Sequence, residues 1–291
     1  VTVLLAGLCT VDVVQRVDEL PAPGEKVRSL AVEVAAGGPA TNAAVAVAAL
    51  GGSPVLYTVL GSHPLAGLAR AELEASGVTV VDVLPEHAEP PAISAVGVRA
   101  RDGERTVISH NAGRSTSAAV SAAGRRGELA FEFPAARAVL VDGHHPELAL
   151  ALARWARGEG VPVVLDAGSW KPVLDELLPL VDVAACSAHF RAPGSGLRER
   201  GVPTVITTAG AGPVRWVTRE ASGEVPVPTV DARDTLGAGD VWHGALAHGW
   251  GRFGDVPSVI GFANEVAAER VRHAGPRSWV AAVRERGMGV R

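Results

Sequence analysis

The chain has 291 residues, 47% of them hydrophobic, and a formal net charge of -4. That length and apolar content support one α/β core and exclude wholesale disorder. The weak negative charge gives no footprint for nucleic acid or an anionic membrane, and the apolar runs fall well below the roughly 20 residues of a membrane span.

In chain order, Thr2 to Leu8 reads as a first strand. It opens on Val1-Thr2-Val3-Leu4-Leu5-Ala6, too short for a secretory leader and without its basic start. Cys9, at the end of this strand, and Cys186, in a later one, are the only cysteines. They make no disulfide framework, suit a reducing cytoplasmic setting, and read as packing residues. Two alternating stretches follow, Val13 to Asp18 and Lys26 to Val34, interrupted by Pro21 and Pro23. Alternation marks a sheet with one wet face. Gly37-Gly38-Pro39 turns the chain into a helix from Ala40 to Leu50, which Gly51-Gly52 ends. Val55 to Leu60 is a strand, Leu65 to Ser76 a helix closed by Gly77. A second alternating pair, Ala92 to Arg99 and Glu104 to Ser109, is joined by a link with the Asp102-Gly103 hairpin signal.

Beyond residue 135 the pattern changes to short apolar runs, 138–141, 161–165, 181–185 and 205–207, with helical stretches at 146–157 and 171–180. Apolar strands alternating with helices predict a parallel sheet covered on both faces. Residues 214–218 and 224–227 read as an antiparallel excursion, and 238–249 and 256–272 as two closing helices. The whole chain, 1–291, is therefore expected to form one α/β unit with a small β appendage built from segments 12–35 and 91–110.

The segment Asp234-Thr235-Leu236-Gly237-Ala238-Gly239-Asp240 carries the most chemistry. Amides at a helix N-terminus lack intrahelical partners and face the positive end of the helix dipole, and glycines let a phosphate approach closely. An aspartate there has the wrong charge to hold phosphate but suits a base that deprotonates a neighbouring hydroxyl. The segment therefore suggests phosphoryl transfer to an alcohol. Asp12, just past the first strand, lies where open α/β sheets bind ligands, and Asn42 carries an amide able to donate to one hydroxyl and accept from another. Thr207-Thr208-Ala209-Gly210-Ala211-Gly212 is a glycine-rich turn able to cradle phosphates, without the Lys-Ser/Thr of a P-loop. Asp166, at a strand end, is placed either to reach a metal-bound phosphate or to cap a turn, and His243 reads as a packing residue. His144-His145, adjacent on the chain, diverge, and there is no zinc motif and no Gly-x-Ser-x-Gly elbow.

Together, Gly37-Gly38-Pro39-Ala40-Thr41-Asn42, the segment 234–240 and the split appendage resemble the ribokinase, or PfkB-type, carbohydrate kinases over nearly the whole length. The resemblance implies a three-layer α/β/α fold with a mostly parallel central sheet and a β-sheet lid. It implies an ATP-dependent kinase that phosphorylates a primary hydroxyl of a small sugar, a ketohexose or pentose. Asp240 would be the general base, and Gly237, Ala238 and Gly239 would offer N–H groups to the transferring phosphoryl group. Asp12, Gly38 and Asn42 would bind sugar hydroxyls. Thr208 and Gly210 would contact the nucleotide, and Asn264 would line the adenine pocket. Asp234, the Leu236 carbonyl and the loop near Gly275 match the family's monovalent-cation site, which would hold K+. Mg2+ would arrive with ATP, held largely by phosphates and water. Where many members carry Asn-x-x-Glu, this chain has Ser187-Ala188-His189-Phe190. That serine, with the glycine motifs, looks closest to the ketohexokinase and sulfofructose kinase branches, and His144 stands where the sulfosugar enzymes would place an arginine. Edge strands of the lid would allow a homodimer. A nucleoside kinase of the same fold and a catalytically silent sugar sensor are the competing readings. The lack of Gly-x-Gly-x-x-Gly after the first strand disfavours a dinucleotide oxidoreductase.

Overall fold

A computed structural model describes residues 1–111, 114–125 and 131–289. The first half of the chain holds β1 (Thr2–Ala6), β2 (Thr10–Val17), β3 (Ala31–Gly37), α1 (Pro39–Ala49), β4 (Ser53–Thr58), α2 (Pro64–Ser76), β5 (Thr79–Asp82), β6 (Ala92–Arg99), β7 (Arg105–His110) and α3 (Arg114–Arg125). Next come β8 (Ala138–Val141), α4 (Pro146–Glu159), β9 (Val163–Ala167), α5 (Leu174–Leu177) with a 3-10 turn at Leu178–Leu180, β10 (Val183–Ser187) and β11 (Thr204–Ala209). The chain closes with β12 (Gly212–Val217), β13 (Ser222–Val225), α6 (Ala238–Gly249), α7 (Val256–Val271) and α8 (Trp279–Glu285).

Nine strands form the main sheet in the order β13-β12-β11-β10-β9-β8-β1-β4-β5. All neighbouring strands pair parallel except β11 with β12 and β12 with β13, the expected antiparallel excursion. The central strands are continuous apolar runs because both faces are covered. Val3, Leu5, Val164 and Ile206 pack with α1, α2, α6, α7 and α8 on one face. Leu4, Val139, Leu165 and Ala184 pack with α4 and α5 on the other. The chain runs outward from β1 through β4 and β5, then returns to β8 on the other side of β1. Its topological switch point therefore lies between β1 and β8, where open α/β sheets bind ligands.

Four strands form the second sheet, in the order β3-β2-β6-β7. They come from the two segments expected to make the lid, and β2 pairs parallel with β6, setting Asp12 beside Ser94. The second strand starts at Ala31 rather than Lys26. Ahead of it, the Ser29 hydroxyl donates to the carbonyls of Arg16 and Ala31, and Leu30 N donates to the Arg16 carbonyl. These bonds close a turn in place of further ladder. The predicted helix 171–180 is shorter, four residues and a 3-10 turn, because Pro172 and Pro179 each remove an N–H donor. The edge strand β5 and helices α3 and α8 lie outside the elements expected from the sequence.

Candidate active site

The switch point is organised by Asp142, the residue directly after β8. Its carboxylate is 1% exposed and accepts from Leu8 N (2.9 Å), Ala40 N (3.2 Å) and His144 N (2.9 Å). It therefore ties the end of β1 to the open N-terminal turn of α1, where an acid is favoured by the helix dipole. Burial alone would raise its pKa. The charge and hydrogen bonds of His144 and the Leu8 N–H instead hold it well below the usual carboxylate range. The His144 ring turns back to this carboxylate, with Nδ1 3.2 Å from Oδ1. Gly38 caps α1 with φ +97°, and a Cβ there would collide with the Leu8 carbonyl oxygen. Only glycine fits so close to the β1 end.

Asp12 and Asn42 line one cavity with Gly237, Leu236 and Arg277. Asp12 accepts from the Thr10 hydroxyl at 2.6 Å. Burial raises its pKa, opposed by Thr10, Ser94 and the charge of Arg277. The Asn42 amide is held at both ends. Its Nδ2 donates to Asp240 Oδ2 at 2.8 Å, and its Oδ1 accepts from Arg277 Nη1 at 3.1 Å. Arg277 is in turn fixed by Glu72, with Nε 2.7 Å from Oε1, and by the Ala36 carbonyl. Glu72 also accepts from Ala36 N at 2.9 Å.

Opposite Asn42 stands the N-terminus of α6. Gly237 is its N-cap in the left-handed region, at φ +70°. Ala238 N closes a turn onto the Thr235 carbonyl at 3.3 Å, so its N–H is not the open donor the motif suggested. Among the described residues no acceptor is paired with the N–H groups of Gly237, Gly239 or Asp240. The carboxylate of Asp240 thus sits beside three free amides. Burial pushes its pKa up to about 6; the charge of Asp166 adds to the rise, while the Asn42 amide and His243 oppose it. Behind it, Asp166 and His243 form a buried pair, with His243 Nδ1 3.2 Å from Asp166 Oδ2 and Nε2 3.2 Å from the Ala185 carbonyl. Burial likewise raises the Asp166 carboxyl.

Thr208 lies near the end of β11 and Gly210, at φ +61°, in the turn that follows. Both are at the C-terminal edge of the main sheet. The turn at Ser187 is closed by its own hydroxyl, which accepts from His189 N at 3.2 Å. Asn264 is 2% exposed, and its amide bridges protein groups, accepting from Trp242 Nε1 (2.8 Å) and donating to the Pro226 carbonyl (3.0 Å). It holds the wall between α6, α7 and the strand-13 loop from behind. Cys9 and Cys186 are free and buried.

Two of the three positions expected to hold a monovalent cation, Asp234 and Leu236, face a side chain instead. Arg270, 2% exposed, donates to the carbonyls of Leu236 (2.6 Å), His273 (2.9 Å) and Asp234 (3.4 Å). The Asp234 carboxylate accepts from Arg16 Nη2 (3.0 Å), Leu236 N (2.9 Å) and Gly275 N (3.0 Å). Gly275 thus meets the Asp234 carboxylate through its N–H.

A helix N-terminus with open amides, the Asp240 carboxylate of raised pKa bonded to Asn42, and the cavity that Asn42 lines with Asp12 form one constellation at the switch point. A family model described as pfkB family carbohydrate kinase matches residues 2–190 and 191–281. The chain belongs to this family. It is a carbohydrate kinase, a phosphotransferase with an alcohol acceptor. Among PfkB relatives, it is 29% identical over 289 residues to the ATP-dependent ribose-1-phosphate kinase of Halopiger xanaduensis, covering 96% of this chain and 94% of that one. It is 24% identical over 294 residues to the deoxyribokinase of Salmonella typhi, covering 95% and 94%. The crystal structure of Thermotoga maritima ribokinase superimposes with a TM-score of 0.74 at 22% identity, over 98% of this chain and 99% of that one. The preference for a ketohexokinase branch finds no support among these PfkB relatives.

The motifs did not point to Glu72, Asp142, Arg270 or Arg277. Asp142 had the same signal as Asp12, an acid directly after an apolar strand. Arg270 stands in step with Val259, Ala263 and Val266, on the apolar stripe of α7. A charge on a buried stripe is the exception that calls for an explanation.

Proposed function

We propose that the protein transfers the γ-phosphoryl group of ATP to a primary hydroxyl of a small sugar, a pentose or a ketohexose, with Asp240 as general base. The observation that supports this most is the position of Asp240, a carboxylate pushed up to about pKa 6 at a helix N-terminus with open amides and within 2.8 Å of Asn42. Asp12, Asn42 and the backbone at Gly38 hold the sugar hydroxyls. Asp240 takes the proton of the attacking hydroxyl as the new O–P bond forms and the bond to the departing ADP breaks. The N–H groups of Gly237, Gly239 and Asp240 meet the charge that develops on the transferring group.

Thr208 and Gly210 seat the nucleotide at the sheet edge, while Asn264 shapes the adenine wall from behind. Mg2+ suits this site as a partner of ATP: Ser187-Ala188-His189-Phe190 brings no carboxylate, and no group of three metal-ligating side chains occurs among the described residues. Phosphates and water would supply most ligands, and the ion would neutralise phosphate charge. The four-stranded sheet carries Asp12 on β2, so its closure would bring that residue onto the sugar and exclude water. Its two opposite edge strands expose Val32 and Val34 on β3 and Val107 and Ile108 on β7, apolar side chains on open edges that favour pairing with a second copy.

The test is ATP consumption with ribose, deoxyribose, ribose 1-phosphate, fructose, tagatose and nucleosides. Sugar-dependent ADP release is expected. Turnover with nucleosides alone would favour the nucleoside-kinase reading, and none with any acceptor would revive the silent sensor.

A further inference from the structure

The loop that leads into the Gly237–Gly239 amides is wired to a buried arginine. Arg270 reaches from α7 and engages three main-chain oxygens, those of Asp234, Leu236 and His273. The remaining anionic group, the Asp234 carboxylate, is saturated by Arg16, Gly275 N–H and Leu236 N–H, and lies 3.7 Å from Arg270 Nη2. The Asp234 and Leu236 oxygens that a monovalent cation would use already accept hydrogen bonds. An ion placed there would also face the guanidinium groups of both Arg270 and Arg16.

We infer that Arg270 is a tethered replacement for the monovalent cation, so that this kinase works without K+. The chemistry of the contact supports a role beyond filling space. The Leu236 carbonyl and the Gly237 N–H belong to one peptide unit. A charged donor on that carbonyl polarises the unit and strengthens its N–H as a donor. Gly237 N–H is one of the open amides at the α6 terminus. Arg270 would thus be a positioning residue that acts through the peptide of Leu236, with a permanent charge where an ion would come and go. Arginine suits this place because its planar fork can serve several carbonyls at once and stays charged when buried.

Only the activity arm of the test rests on the kinase reading. Wild-type protein is compared in tetramethylammonium, sodium and potassium chloride at equal ionic strength, by turnover, by melting temperature and by thallium-205 NMR. Turnover is expected to vary by less than about twofold, with no saturable K+ effect on melting and no bound-thallium signal. A K+ activation of about fivefold or more, or saturable thallium binding, would overturn the inference. Arg270→Ser is expected to gain a K+-selective rise in melting temperature and to recover turnover with K+ or guanidinium, whereas Arg270→Lys should stay K+-independent. A folded Arg270→Ser protein indifferent to both cations would also overturn it. If that variant does not fold, the wild-type measurements and Arg270→Lys still decide. If no sugar is phosphorylated, the melting and NMR arms still read the site, so failure of the kinase reading and failure of this one are separable.

Discussion

Acid should inactivate this enzyme through Asp240, well above the pH at which an ordinary aspartate protonates. The free-enzyme pKa of about 6 comes from burial and the Asp166 charge, against the Asn42 amide and His243. The pH profile of kcat/KM reports that value for an essential base. Roughly 90% of the base is ionised at pH 7 and about 10% at pH 5, so kcat/KM should fall about tenfold between them. Asn42→Ala removes the donor at 2.8 Å that favours the carboxylate. With a hydrogen bond to a charged group worth about 1.5–3 kcal/mol, the acid limb should move up by about one to two units. The stability consequence has a definite sign. The folded pKa lies above the unfolded one, so ionisation is the costly form. Stability is highest below pH 3.8 as far as this group is concerned, falls as pH rises through 6, and stays reduced above it. The full shift corresponds to about 3 kcal/mol; partial solvent access lowers this to about 1–2 kcal/mol. Asp240→Asn should therefore melt higher than wild type at pH 7.5. Initial rates across pH 4.5–8, with thermal melts in the same buffers, read both effects. An acid limb at or below pH 4.5, or one unmoved by Asn42→Ala, would refute the reasoning.

Gly38→Ala forces a residue with φ +97° and a Cβ against the Leu8 carbonyl; a loss of about 2–4 kcal/mol is expected in denaturant melts. Arg277→Ala should raise the sugar KM about tenfold or more and leave the ATP KM within about twofold, because Asn42 loses the partner that orients it. Asn264→Leu strands the Trp242 N–H and the Pro226 carbonyl, so about 2–4 kcal/mol of stability should be lost in chemical denaturation.

The strands and helices that frame the site were legible because their periodicity is clean. The runs at 138–141 and 238–249 are found at the predicted bounds, and the two lid segments pair as one sheet. Asp12, Asn42, Gly38 and the 234–240 segment converge at the switch point, since each lies next to a strand end or a glycine turn, where sequence marks position. What escaped were contacts made between distant elements. Nothing near Glu72 on α2 indicates that it anchors Arg277, some 200 residues away, nor does the α7 pattern say which carbonyls Arg270 reaches. Ala238 fell short as a donor because its N–H closes the Thr235 turn, a detail of loop geometry. Asn264 carried a family expectation of facing the nucleotide, yet Trp242 and Pro226 take its amide, a pairing set by how α6 and α7 pack.

The decisive measurement is sugar phosphorylation by Asp240→Asn beside wild type, with sugar affinity measured separately by calorimetry on the acceptor found in the screen. Loss of a general base should lower turnover by at least about 100-fold while the sugar dissociation constant stays within about threefold. Turnover within a few-fold of wild type would contradict Asp240 as the base and, with it, the assignment of the α6 terminus as the place of transfer.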